Sequence, residues 1–564
     1  MTLMKRLNVH KWQMTQRFTN GKCKFVVLAL FAFAVAAFAE ACELTLPDSE
    51  HRKVVRIEPT DAKRCELSFC VPISGIQQMW TPDMQTPFIG RKWWISKASA
   101  PQSSMPCIVW FNMAERNSFF FGAAALEWDC LIESKINQER GVYEVKFTAA
   151  AGSGVLKPFD VTLDRRSIIW TQSVGEWRDS LPYARGTYPA AAWAPAFCSW
   201  YAVHAALDAQ WVERTAAIAA DLGFGTFILD DGWSYDEAKR VTPETIKTWY
   251  RDVGTWDNFS SVKFPDFRRH RERMRELGLN YVVWVAPYFL GTRSAAFRRW
   301  GYDKMQDAKV VEGNALTDIE NKAMMESVTE QLVWFMRNSG LDGLKIDFLD
   351  SVKPSVADPH GARTMEYVAD LMRRLRDVKQ DGVFEFRQNY ATPITASLAT
   401  QFRAGDVPFE WQANLMRIAQ IRLTMGDGVP IHSDPICWAD AETDDNVARH
   451  FMAAMAGVPM LSMDLERMSP ERRAVVRGWM RLYREKVAPF QRSGKWSVFY
   501  RNGGLVGLVG KRPGKSFAIV NDPAGFATLL VAARVGAMIV FNLGFEPLAL
   551  PDGSSVAPAT YREL

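Results

Sequence analysis

The chain has 564 residues, of which 48% are apolar and 23% are charged. This composition excludes a chain that is disordered overall, and the length predicts three domains, or one large barrel with smaller domains attached. A formal net charge of +5 would suggest nucleic-acid binding, but the excess positive charge lies in the first 39 residues.

These 39 residues have the pattern of a secretory signal peptide. They carry six Lys and Arg residues and no acid, then the apolar run Phe25–Phe38 and the small-x-small end Ala37-Phe38-Ala39. We predict cleavage after Ala39, which changes the net charge from +5 to −1 and argues against nucleic-acid binding. A membrane anchor is the alternative, but a spanning helix needs about 20 apolar residues. We therefore expect a secreted or periplasmic protein without stable membrane insertion.

The cysteines and histidines do not form a recognisable metal motif. Cleavage leaves seven cysteines, an odd number, so at least one is unpaired or pairs between chains. Export allows disulfides, and their pairing stays open, as does assembly into a homo-oligomer. No CxxC pair and no His pair at ligand spacing occurs, so the sequence predicts no metal site and no cofactor.

Both flanks of the chain are typical of β structure. Residues 40–185 predict an N-terminal β domain, since runs rich in Val, Ile, Phe and Trp alternate with Pro, Gly and Asn; the runs are Lys53–Ile57, Cys107–Phe111, Gly141–Phe147 and Ser167–Thr171. Residues 491–564 predict a small C-terminal β-sandwich from the runs Trp496–Tyr500, Leu505–Gly510, Ser516–Asn521 and Ala537–Phe541.

The middle of the chain, residues 186–490, alternates apolar runs with helical patterns, which indicates a parallel sheet of the α/β class. The eight predicted strands are Ala196–Tyr201, Thr226–Asp230, Asn280–Ala286, Gly343–Asp347, Val383–Arg387, Thr400–Arg403, Val429–Ser433 and Pro459–Met463. Predicted helices include Asp208 to Leu222, Phe267–Leu277, Glu326–Arg337 and Thr364–Val378. Eight such units predict a (β/α)8 TIM barrel. An open doubly wound sheet is disfavoured because no Gly-rich phosphate turn follows the first strand.

Strand four offers a candidate nucleophile. In the run Gly-Leu-Lys-Ile-Asp, the period of two places Lys345 and Asp347 on the same face. A neighbouring Lys favours an ionised carboxylate, which is what a glycosyl nucleophile requires. A Lys–Asp pair that merely closes a strand end is the simpler interpretation.

Other polar side chains follow the neighbouring strands. Asp406 lies on the loop after strand six, and it would supply the second carboxyl that glycoside cleavage needs, although a common Asp-Gly turn explains it as well. Asp230 and Asp231 end strand two and can bind vicinal hydroxyls. Glu385 and Arg387 share a face of strand five and could complete a polar floor, and Trp284 could stack on a sugar ring or fill the core.

Seven short motifs follow one another along the predicted barrel: Phe-Cys-Ser-Trp-Tyr (197–201), Leu-Asp-Asp-Gly-Trp (229–233), Lys-Phe-Pro (263–265), Val-Trp-Val-Ala-Pro (283–287), Leu-Lys-Ile-Asp-Phe (344–348), Phe-Arg-Ala-Gly-Asp (402–406) and His-Ser-Asp-Pro (432–435). Their order and spacing resemble the α-galactosidases (melibiases) of glycoside hydrolase clan D, chiefly family 36, with family 27 as a cousin. The resemblance covers about residues 195–465. Strand five departs from one family-36 pattern, Cys-x-Gly-Gly-Gly, and reads Phe-Glu-Phe-Arg-Gln-Asn-Tyr.

The resemblance implies a retaining mechanism with Asp347 as the nucleophile and Asp406 as the acid/base. Asp434 competes for the second role because it also follows a strand end. We prefer Asp406 because Arg403 and the strand-six position match the family, and we count Asp434 among the candidate substrate-binding residues. The resemblance also implies substrate contacts from Asp230, Asp231, Trp233, Lys345 and Arg403.

The sequence therefore predicts a retaining exo-glycoside hydrolase that removes terminal α-galactose from an oligosaccharide or glycan. The same machinery could serve an α-N-acetylgalactosaminidase, a β-L-arabinopyranosidase or a galactosyl-transferring relative. A non-catalytic carbohydrate-binding barrel would be expected to lack Lys345, Asp347 or Asp406, and all three are present. A metal hydrolase is disfavoured because only seven His residues occur and none are paired at ligand spacing.

Overall fold

The computed structural model describes residues 42–46, 50–82, 89–90, 93–306, 308–533 and 536–564. The predicted signal peptide lies outside these residues. Among the described helices, none is both long and apolar enough to cross a membrane.

The N-terminal part consists of two β-sheets that share one core. The first has, in spatial order, the strands Cys42–Glu43, Arg64–Pro72, Val142–Ala150, Asp129–Asn137 and Trp94–Ser99; the second has Arg52–Ile57, Phe159–Asp164, Asn117–Ala123, Cys107–Phe111, Gln78–Trp80 and Ile89–Gly90. Alternate side chains of both sheets, such as Leu67, Phe121 and Phe147, are fully buried between them. This is the alternation expected for two packed sheets.

The predicted strand Ser167–Thr171 is wrong. The backbone instead enters the helix Trp170–Ser180. The buried residues of this helix, Trp170, Ser173, Val174 and Trp177, repeat at i, i+3, i+4 and i+7, and this longer helical period outweighs a short β-branched run.

The middle of the chain forms the predicted barrel. Its eight strands are Ala196–Cys198, Thr226–Leu229, Asn280–Val285, Gly343–Ile346, Val383–Arg387, Gln401–Arg403, Ile431–His432 and Met460–Leu461, numbered one to eight below. Strands one to seven are paired in parallel in the order of the chain, each with the one that follows it, and strand eight pairs in parallel with strand one. Parallel bridges from His432 to Val458 and from Ile436 to Leu461 join strands seven and eight. The carboxyl ends of all eight strands therefore meet at one face.

The helix that follows strand one illustrates why these elements end where they do. Asp208 accepts a hydrogen bond from the Trp211 amide at 2.8 Å and caps the helix Ala209–Leu222. Gly223 ends it with a left-handed φ of 99°, a conformation that disfavours residues with a Cβ. The further main helices of the barrel are Phe267–Glu276, Lys322–Ser339, Gly361–Val378, Trp411–Met425, Asp444–Ala454 and Pro470–Leu482, with shorter ones at Trp200–Val203, Ala295–Arg299 and Ala488–Ser493.

The C-terminal part is a five-stranded sheet in the order Lys495–Arg501, Gly504–Arg512, Lys515–Val520, Ala537–Asn542 and Thr560–Glu563. The helix Phe526–Ala533 packs against it, and the short strands Leu548–Ala549 and Ser555–Val556 form a separate hairpin. The second layer beside the sheet is thus a helix, because the apolar segment after Pro523 carries residues that favour helices.

Candidate active site

Strands two and four bring Asp230 and Lys345 together. Lys345 donates to Asp230 through Nζ–Oδ2 at 2.6 Å, and both side chains are about 95% buried. Burial acts against the charge of Lys345, but Asp230 outweighs it and raises the pKa of the ammonium group. The direct partner of Lys345 is therefore Asp230 and not Asp347, which the period-two pattern alone had suggested.

Asp347 lies one residue beyond strand four, where its amide donates to the carbonyl of Val285 at 2.8 Å. Its Oδ2 accepts from Trp284 Nε1 at 3.0 Å, and its Oδ1 accepts from the amide of Phe348 at 2.8 Å and from Arg387 Nη1 at 2.9 Å. Burial acts to raise the pKa of Asp347, but the positive charges, of which Arg387 is the largest, lower it. The structure thus holds Asp347 ionised.

Asp406 lies on the loop after strand six and faces the same arginine. Arg387 Nη2 donates to its Oδ2 at 2.9 Å, and Arg403 Nη1 donates to its Oδ1 at 2.9 Å. Burial acts to raise the pKa of Asp406, but Arg387 and then Arg403 outweigh it and hold that pKa well below its usual range. The side chain is 46% exposed, so a substrate can reach it. The structure therefore brings Asp347 and Asp406 onto opposite ends of one guanidinium group.

Asp434 is enclosed. It has no exposed surface, and its carboxylate accepts from the Tyr201 hydroxyl at 3.0 Å, the Val407 amide at 2.7 Å and Arg403 Nη1 at 2.5 Å. Burial, assisted by Asp406, raises the pKa of Asp434 to about 7. These contacts connect strand seven to the loop that carries Asp406, which suits a structural role better than proton donation to a sugar.

Asp231 has different side-chain partners from its neighbour Asp230. Its Oδ2 accepts from Trp249 Nε1 at 2.7 Å and from the Tyr235 hydroxyl at 3.3 Å. Burial raises the pKa of Asp231 to about 6, and its Oδ1 is buried without a hydrogen-bond partner among the described residues. One oxygen of Asp231 is thus left to bind a further donor.

Glu385 and Arg403 form the floor beneath these groups. Glu385 is fully buried and accepts from Gln401 Nε2 at 2.6 Å and from Arg403 Nε at 3.2 Å. Burial raises the pKa of Glu385. Arg403 therefore contacts three acids, which are Glu385, Asp406 and Asp434, and it fixes their spacing.

Trp233 and Trp284 are both buried and are joined by a hydrogen bond. Trp233 is fully buried, stacks on Phe335 with ring centres 4.9 Å apart, and donates to the carbonyl of Trp284 at 2.8 Å. Trp284 in turn donates to Asp347. Trp233 therefore packs behind Trp284 in the empty site, and the substrate contact that the resemblance implies for Trp233 stays a prediction.

Sequence reasoning missed Trp249 and did not foresee that Arg387 bridges two acids. Trp249 lies on the long loop after strand two, outside any predicted element, and its bond to Asp231 depends on how that loop folds back. A lone Trp in a loop gives no signal of this contact.

Among the described residues, no group of three His, Cys, Asp or Glu could hold a metal ion.

No protein-family model and no curated protein sequence matches this chain. Its backbone nevertheless matches solved structures. A variant of the GH36 α-galactosidase AgaA from Geobacillus stearothermophilus, in complex with raffinose, superposes with a TM-score of 0.63 at 14% identity and covers 82% of this chain and 69% of its own.

The chain has the fold of the family 36 α-galactosidases. The galactosidase domain of the α-galactosidase-sucrose kinase AgaSK superposes with a TM-score of 0.61 at 14% identity, over 90% of this chain and 74% of its own. TtGalA, an α-galactosidase from Thermus thermophilus, does so with a TM-score of 0.55 at 17% identity, over 80% and 96%. In barrels of this kind, active sites lie at the carboxyl ends of the strands, where the acids described above are gathered.

Proposed function

We propose that this protein is a retaining glycoside hydrolase that removes terminal α-galactose from oligosaccharides or glycans. The observation that carries the proposal is that Asp347 and Asp406 contact the same guanidinium group, Arg387, from opposite ends. A retaining glycosidase needs two carboxyl groups about 5–5.5 Å apart on either side of the scissile bond, and this pair combines a buried carboxylate, Asp347, with one that a substrate can reach, Asp406.

Asp347 serves as the nucleophile. Its Oδ2 is oriented by the Trp284 indole and its charge is maintained by nearby cations, so it can attack the anomeric carbon without a base. The bond from that carbon to the leaving oxygen breaks as the carboxylate bond forms, and the leaving oxygen takes a proton from Asp406. Asp406 then removes a proton from water, which attacks the same carbon as the bond from that carbon to Asp347 breaks, so the Asp347 carboxylate is regenerated and the sugar leaves with its configuration retained.

The remaining polar groups bind the sugar. Asp230 with Lys345 offers a buried acceptor and donor, and the unpartnered Oδ1 of Asp231 offers a second acceptor. Solved structures with this fold hold raffinose, stachyose or p-nitrophenyl α-D-galactopyranoside, which supports a galactoside as the substrate.

We also propose that the enzyme is exported after cleavage near Ala39.

A panel of 4-nitrophenyl glycosides tests the proposal. We expect the α-galactoside to be cleaved at least tenfold more efficiently than the α-glucoside, the α-N-acetylgalactosaminide and the β-L-arabinopyranoside, and proton NMR to show α-galactose as the first product. β-Galactose as the first product would contradict the retaining mechanism. Preference for another glycoside of the panel would show that the enzyme acts on a different sugar, and the assignment of the active site would remain.

A further inference from the structure

Arg387 joins the two carboxylates that the proposed reaction uses. Its Nη1 contacts Asp347 and its Nη2 contacts Asp406, each at 2.9 Å, and its guanidinium lies 5.3 Å from the centre of the Phe348 ring. The anomeric carbon has to lie between the nucleophile and the proton donor. A sugar that enters between the two carboxylates would therefore compete with Arg387 for at least one of them.

The other cations of the site are not free to do the same. The side chains of Lys345 and Arg403 are only 6% and 2% exposed, against 15% for Arg387. Arg403 is fixed by three acids and Lys345 by Asp230. Arg387 is thus the cation of this group that combines contact with both reacting carboxylates and access to solvent.

We propose that Arg387 is a positioning residue that keeps both reacting carboxylates ionised in the empty site. Arg387 must release Asp406 before Asp406 can act as an acid. The inference rests on the proposed function. A cation 2.9 Å from a carboxylate favours its charged form, and an opposite charge at such range shifts a pKa by roughly one to three units. Asp406 therefore gains the proton that the first step needs only when Arg387 is removed from it.

Other charged groups near the two carboxylates also influence their pKa values, so the contribution of Arg387 has to be separated from theirs. Arg417 lies on the helix after strand six and donates to the backbone carbonyl of Asp406 at 2.8 Å, without contact to either carboxylate. The remaining charged or titratable neighbours are Lys345, Arg403, Asp434, Tyr201, Tyr250 and Tyr390. Arg417 thus provides a matched control, since its loss removes one positive charge beside Asp406 and leaves the bridge intact.

The experiment compares the pH dependence of kcat/KM for the wild type, Arg387→Gln, Arg387→Lys and Arg417→Gln with 4-nitrophenyl α-galactoside. This parameter reports the free enzyme, and its alkaline limb reports loss of the proton from the acid. Because the two carboxylates titrate as a coupled pair, we expect Arg387→Gln to move both limbs to higher pH, the alkaline limb by roughly one unit or more. Arg387→Lys keeps the charge and Arg417→Gln keeps the bridge, so each should move the alkaline limb less than half as far.

A second measurement does not depend on turnover. In a crystal structure of the wild type with 1-deoxygalactonojirimycin in the site, we expect the Arg387 guanidinium to have left Asp406. An unchanged bridge beside bound inhibitor, an alkaline limb that does not respond to Arg387→Gln, or an equal response to Arg417→Gln would each overturn the inference while hydrolysis continues. Absence of hydrolysis of every glycoside by the wild type would instead overturn the proposed function, and this inference with it.

Discussion

At the scale of single residues, Asp347 is the group whose loss should stop the reaction. Asp347→Ala removes the attacking oxygen, so we expect kcat to fall by about 10³-fold or more, which corresponds to ~4 kcal/mol of activation free energy. Asp350→Ala is the matched control, because Asp350 lies three residues further on and accepts a hydrogen bond from Asn389, whereas Asp347 accepts one from Arg387. Steady-state kinetics on 4-nitrophenyl α-galactoside makes the comparison, and near wild-type turnover by folded Asp347→Ala would show that another group attacks.

Replacing Asp406 and replacing Asp434 should affect the hydrolysis of different substrates differently. An acid is needed most by poor leaving groups, so Asp406→Ala should retain attack on a dinitrophenyl galactoside, lose natural disaccharides and regain rate with added azide. Asp434→Ala leaves Arg403 without one of its buried partners, so it should lower the free energy of unfolding by roughly 3 kcal/mol and affect all substrates alike. Leaving-group dependence and azide rescue in Asp434→Ala alone would exchange the two roles.

The residue scale is also where the sequence predicts least. The presence of Asp347, Asp406 and Arg403 at strand ends follows from the pattern, but the pairing of Lys345 with Asp230 depends on strands two and four facing each other across strand three. The bridge made by Arg387 depends on the rotamer of a long side chain. Neither the period of a strand nor the spacing of motifs specifies such contacts.

At the scale of elements, the ends of helices are well specified by local chemistry. Asp208 caps the helix Ala209–Leu222 by accepting from the Trp211 amide, so Asp208→Ala should lower the free energy of unfolding by about 1 kcal/mol. Asp208→Asn keeps an acceptor at the same place and should cost only a few tenths of that value. Chemical denaturation of both variants makes the comparison; equal losses would show that the cap does not act through its hydrogen bond.

Prediction of the elements was accurate where periodicity was strong and long. All eight barrel strands occur within three residues of their expected ends, and the helix after strand one ends at Gly223 as predicted. The run Ser167–Thr171 failed because five residues are too few to separate a strand from the first turn of the helix Trp170–Ser180. The helix Phe526–Ala533 is apolar except for Thr528, so it gave no helical period to detect.

At the scale of the whole molecule, we predict that the protein is exported, and the segment on which this prediction rests lies outside the described residues. The basic N-terminal segment, the apolar run Phe25–Phe38 and the end at Ala39 predict a cleaved signal peptide. N-terminal sequencing of the protein from its native host should find Glu40, or a residue close to it, as the first residue. An intact N-terminus in a membrane fraction would contradict the predicted cleavage.

The central claim is that Asp347 forms a covalent bond to the sugar, and trapping that intermediate tests it most directly. A 5-fluoro galactosyl fluoride reacts with a retaining galactosidase and leaves an intermediate that hydrolyses slowly, because fluorine destabilises the cationic transition state of the second step. The anomeric fluoride leaves as the carboxylate attacks, so we expect digestion and mass spectrometry of the inactivated enzyme to place one 5-fluorogalactosyl group on the peptide that contains Asp347, and none to form in Asp347→Ala. A label on Asp406 or Asp434, or turnover of the natural substrate without any covalent species, would contradict the claim.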